Sequence, residues 1–64
     1  MEKINNKKGY LLFKVDGITF DKKFINNVDM YNIYMQFINF KRRVTVGHNV
    51  NVVFKGMTLF NDVA

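Results

Sequence analysis

From Val44 to Phe54 the side chains alternate with a period of two, and that run restricts the fold more than any other feature of the chain. Val44, Val46, Val50, Val52 and Phe54 fall on one side together with His48, while Thr45, Gly47, Asn49 and Asn51 fall on the other. Only Val53 breaks the pattern. Alternation of this kind describes a half-buried β-strand with one dry face and one wet face. Lys55-Gly56 punctuates the run, and Met57 to Phe60 resumes as a short further strand. The N-terminal half supplies partners for it. Tyr10 to Val15 reads as an apolar strand, Asp16-Gly17 as a hairpin turn whose central positions call for positive φ, and Ile18 to Ile25 as the returning strand.

Asn26-Asn27 marks a second turn, and the stretch after it fits two descriptions. Within Asp29 to Arg43, DMYNIYMQFINFKRR, the residues Asn32, Gln36, Asn39 and Arg43 recur at the spacing of a helical stripe. The same stretch lacks Ala, Leu and Glu, has no capping box and is dominated by Tyr, Phe, Ile and Asn, so local propensity favours a strand. The strand reading gives a mainly β chain, a five-stranded meander curled into a small, partly open barrel of the SH3 or Sm type. The helix reading, with a helix over residues 29–42, gives an α+β chain in the order ββαββ. Either arrangement leaves sheet edges that pairing between subunits could cover. Met1 to Lys8 are polar and basic and read as a flexible arm (residues 1–8) ahead of a single domain over residues 9–64.

A domain of 64 residues buries a modest fraction of its surface, and this one has no cysteine to staple it. Hydrophobic residues nevertheless make up 48% of the chain, including seven Phe and three Tyr. That is more apolar material than one small core readily hides, and a homo-oligomer, a ring or a dimer, is the economical way to bury the rest. The N-terminus lacks the apolar segment of a signal peptide, and no run approaches the roughly 20 apolar residues needed to span a bilayer. A cytoplasmic protein is expected. The abundance of Asn, Lys, Ile, Phe, Tyr and Met reflects AT-rich codons, as in many bacterial, plasmid and phage genomes, so the cytoplasm could be that of a phage's bacterial host.

Catalysis finds little support. The chain has neither Ser nor Cys for a nucleophile, its carboxylates show no paired spacing, and it has no glycine-rich phosphate loop. His48 stands on the apolar side of its strand with no second histidine to share a metal, so it reads as a packed or interface residue, and no cofactor or metal is expected. Binding is better supported. The formal charge is +5, and the cations bunch at Lys7 and Lys8, at Lys22 and Lys23, and at Lys41, Arg42 and Arg43. Basic clusters separated by aromatic segments suit a polyanion whose bases stack on rings, with Tyr10, Tyr31 and Tyr34 as the exposed-ring candidates. Tyr31 beside Asn32 could stack a base and hydrogen-bond its edge.

Several segments resemble the Sm-like family, the small five-stranded barrels that assemble into rings and bind RNA. VDGITF is similar to the family's first hairpin, Val28 to Met35 (VDMYNIYM) resembles the first Sm motif, and Val52 to Phe60 (VVFKGMTLF) resembles the second. The resemblance implies that Asn32 contacts a base, that Tyr31 or Met30 stacks on it, and that Lys55 with Gly56 forms the basic-glycine pair. The expected function is therefore a non-enzymatic, oligomeric module that binds single-stranded RNA or a nucleotide. The alternative is a small phage-encoded or plasmid-encoded inhibitor that blocks a host defence protein or sequesters a nucleotide signal.

Overall fold

A computed structural model describes residues 8–64 as four strands and one helix: β1 (Gly9–Val15), β2 (Ile18–Ile25), α1 (Met30–Lys41), β3 (Asn49–Phe54) and β4 (Met57–Val63). The strands form one antiparallel sheet in the order β2-β1-β3-β4. Mainly β is correct, but the five-stranded barrel is not formed: the sheet is open, and Asp29 to Phe40, expected as a strand, is the N-cap and body of a helix. The ββαββ alternative describes the element order. Of the arm expected at residues 1–8, only Lys8 lies within the described residues.

Both hairpin turns follow from local chemistry. Asp16 and Gly17 take φ of 51° and 84° between β1 and β2, and Lys55 and Gly56 take 50° and 81° between β3 and β4. These are left-handed values that Asp and Gly tolerate well, whereas a lysine adopts them only where the flanking strands impose the turn.

The helix wins over local strand propensity because of where it must go. β3 pairs with β1 rather than with β2, so the chain leaves one end of an edge strand, passes the length of the sheet and re-enters at the other end beside a central strand. Twelve helical residues cover about 18 Å, close to the length of a six-residue strand. On the way they place Ile33, Phe37 and Phe40, one helical face, onto the sheet. Asp29 caps the start, its carboxylate accepting the Asn32 N–H at 3.2 Å.

The strand expected from Val44 begins only at Asn49, although Val44 still packs against the core. Val44 N–H donates to the Lys41 carbonyl and Gly47 takes φ of 100°, so residues 44–48 form a loop in which Val46 is 84% exposed. Gly47 N–H donates to the Ala64 carbonyl and Ala64 N–H to that of His48. The C-terminal residues, which carry no periodic signal, thus extend β4 to Val63 and hold the loop.

The core lies between α1 and one face of the sheet. Leu11 and Phe13 of β1 and Val50, Val52 and Phe54 of β3 meet Ile33, Phe37 and Phe40. Phe13 and Phe40 tilt against each other at 5.4 Å, and Phe60 of β4 lies against both Phe37 and Tyr34. Lys41, at the helix C-terminus, reaches Asp62 on β4 at 2.8 Å. Among the described residues, no helix is long and apolar enough to cross a membrane.

Candidate nucleic-acid interface

The strand register assigns every side chain to a face, because directly paired residues in an antiparallel sheet point the same way. The second face, which α1 does not cover, carries Tyr10, Leu12 and Lys14 of β1, and Thr19, Lys22 and Phe24 of β2. From the other half of the sheet it carries Asn49, Asn51 and Val53 of β3 with Thr58, Asn61 and Val63 of β4. Tyr10 and Phe24 are direct cross-strand partners, their rings edge to face at 5.3 Å, and each is about half exposed, at 51% and 52%. Lys22 holds its ammonium 4.9 Å from the centre of the Tyr10 ring. Leu12 and Val53 floor the space between the central strands. Toward the other end the surface becomes a row of amides and Lys14, and the side-chain oxygen of Asn51 is buried there with no hydrogen-bond partner.

Charge divides between the two faces. Asp21 and Asp62 are on the helix side of the sheet, Asp16 is in the β1–β2 turn and Asp29 caps the helix. Among the described residues, the charged side chains on the open face are therefore Lys14 and Lys22, and no carboxylate shares it.

The residues expected to form one site are spread around the domain. Tyr31 and Asn32 stand on the first turn of α1, with Tyr31 75% exposed and Asn32 accepting a side-chain hydrogen bond from Gln36. Lys55 and Gly56 form the β3–β4 turn, and the Lys55 ammonium lies over the Phe54 ring on the helix side. Lys41 is engaged by Asp62, whose carboxyl it holds below the usual aspartate range, helped by the Val63 N–H. Arg42 and Arg43 follow the helix at the opposite end of the sheet from Lys55. Lys22 and Lys23 point to opposite faces, so Lys22 joins Tyr10 while Lys23 joins Arg43 beside Asp21, Gln36 and Asn39 in a groove between β2 and α1. In the sequence Phe24 is distinguished only as a residue of the returning strand. Its place beside Tyr10 follows from the cross-strand register, which a single sequence does not fix.

His48 is not on an apolar strand face. It lies in the loop before β3, its Nδ1 2.6 Å from the Asp16 carboxylate, whose other oxygen accepts the Asn49 N–H. These two bonds, His48 first, lower the Asp16 pKa. The pair ties the β1–β2 turn to the helix–strand loop. Tyr34, another ring candidate, packs edge-on against Phe60.

Comparison with known proteins gave no match, whether to protein-family models, to curated protein sequences or to solved structures. The class defined by the coordinates is a four-stranded antiparallel sheet covered by one helix on one face and open on the other.

Proposed function

We propose that the protein binds single-stranded nucleic acid, with RNA as the preferred form, on the open face of its sheet. The observation that carries this reading is the exposed Tyr10–Phe24 pair with Lys22 over it, on a face without a carboxylate among the described residues. Unstacked bases lie on such rings, neighbouring ammonium groups neutralise phosphates, and an exposed amide such as Asn61 offers both a donor and an acceptor to base edges. A duplex hides its bases and does not use this surface.

Fluorescence anisotropy with labelled single-stranded and duplex oligonucleotides tests the reading. The single strand is expected to bind more tightly, with affinity falling as salt rises by a log–log slope of about −0.7 per phosphate contacted. Tyr10→Ala and Phe24→Ala should each cost about 1–3 kcal/mol, or roughly 5- to 140-fold in Kd. Lys22→Gln should reduce the salt slope. A flat salt series, or equal affinity for the duplex, would refute the proposal.

A second reading, a protein-binding role such as self-association or inhibition of a host factor, is favoured by one observation. The outward side of α1 is apolar rather than charged, with Met30, Tyr31, Tyr34 and Met35 all exposed. Apolar patches on a small domain mark contact surfaces when they are contiguous.

A further inference from the structure

On the helix side of the sheet, β2 carries a feature unrelated to the open face. Phe13 pairs with Asp21 and Lys14 with Thr19, so Phe20 has no partner on β1 and forms a β-bulge. A bulge re-aims a side chain, and this one turns Phe20 into a cavity of about 600 Å³ between β2, the end of α1 and the following loop. The volume is within the roughly 300–1,000 Å³ range of small-molecule sites. Ile18, Phe20, Phe40 and Val44 line it with apolar surface, yet Ile18 and Phe20 remain 62% and 67% exposed.

Polar groups border the cavity at both ends, with Arg43 and Asp21 at one and the Asp16–His48 pair at the other. Arg43 borders the cavity with its guanidinium 5.9 Å from the centre of the Phe40 ring, and it also borders the smaller groove that contains Lys23. Arg43 and Lys23 thus both line the groove that adjoins the cavity. Asp16, at the far rim, is already held by His48 and the Asn49 N–H. Asp21 borders both cavity and groove, one of its oxygens accepting the Lys22 N–H. Gln36, in the groove, has a buried side-chain oxygen without a partner.

An apolar aromatic slot, a carboxylate acceptor at its edge and two cations just beyond match the parts of one ligand class in order: a planar base, its N–H groups and its phosphate. We infer that this cavity is a second binding site, for a nucleoside monophosphate, with the base against Phe20 and Phe40 and the phosphate toward Arg43 and Lys23. The site is separate from the Tyr10–Phe24 surface and does not depend on it.

The test is amide NMR of the full chain titrated with AMP, with adenosine and inorganic phosphate as separate probes. AMP is expected to shift amides at residues 18–21 and 40–45, adenosine to shift them more weakly, and phosphate alone to leave residues 18–20 unmoved. Phe20→Ala should weaken AMP about 5- to 140-fold. Arg43→Gln, at an exposed position that leaves the fold intact, should abolish the advantage of AMP over adenosine. Tyr10→Ala should change neither, so failure of the open-face proposal is distinguishable from failure of this one. AMP shifts confined to the open face, equal responses to AMP and phosphate, or unchanged AMP affinity in both Phe20→Ala and Arg43→Gln would overturn the inference.

Discussion

Leu11 and Leu12 are adjacent, chemically identical and on opposite faces of a central strand, so the pair tests the face assignment on which the functional reading rests. Leu11 is fully buried against Ile33, Phe37 and Phe54 in the core, whereas Leu12 is half-buried on the face that α1 leaves open. Leu11→Ala removes buried methyl and methylene groups and leaves a cavity that the β1–β3 ladder cannot collapse, a loss of about 2–5 kcal/mol. A domain of this length has roughly 3–10 kcal/mol in total, so the variant should be largely unfolded or melt far below the parent. Leu12→Ala gives up part of a side chain's burial and creates no enclosed void, a loss of about 1 kcal/mol. Urea denaturation followed by circular dichroism would measure both. Equal losses, or a larger one at Leu12, would show that the core lies on the other side of the sheet.

Three further outcomes follow from particular contacts. Asp29→Ala should destabilise the fold by about 0.5–2 kcal/mol through loss of the bond to the Asn32 N–H, read as a drop in Tm with helical signal lost first. The Asp16 pKa is lowered in the folded state by His48, so its stabilisation is full above the ordinary aspartate value of 3.8 and disappears as pH falls through the depressed folded value. Asp16→Asn should therefore flatten the acid limb of a Tm-against-pH curve, and an unchanged limb would remove the pair from the stability of the loop. Native mass spectrometry should show self-association that Tyr31→Lys with Met35→Lys reverses; a monomer at every concentration would discard the outer face of α1 as a contact surface.

The edges of the sheet bear on that last point. On β2 the Asp21 carboxylate accepts the Lys22 N–H at 2.9 Å, and on β4 the Asp62 carboxylate accepts the Val63 N–H at 2.8 Å. Both edge strands thus satisfy a donor locally that strand addition would otherwise use, a device that opposes edge-to-edge pairing at those positions. Self-association, where it occurs, has the apolar side of α1 more readily at hand.

The two hairpins were legible in the sequence because their information is local: Asp16-Gly17 and Lys55-Gly56 occupy the positive-φ positions where they were expected. The stretch after Asn27 was not, since its strand propensity and its helical stripe disagree and the deciding term is tertiary. A connection had to span the sheet and cover its dry face, and no residue within the stretch encodes that demand. The stripe did carry information. Gln36, Asn39 and Arg43, three of its four members, line the groove facing β2. The period-two run overstates the strand before Asn49, and the burial of Val46, because Gly47 and the pairing with Ala64 take the chain out of the sheet there, while Val44 still packs against the core. Tyr31 and Asn32 stand on the first turn of a helix and face solvent, away from Arg42 and Arg43 at its other end, whereas the ring pair on the sheet is assembled by the register of β1 against β2.

The most direct measurement of the open-face proposal is an amide NMR titration of the labelled protein with a single-stranded RNA oligonucleotide. Chemical-shift changes are predicted to map to Tyr10, Leu12, Lys14, Lys22, Phe24, Asn51 and Val53 and to leave residues 30–41 of the helix unmoved. Changes concentrated on the helix, or none at any excess of RNA, would contradict it.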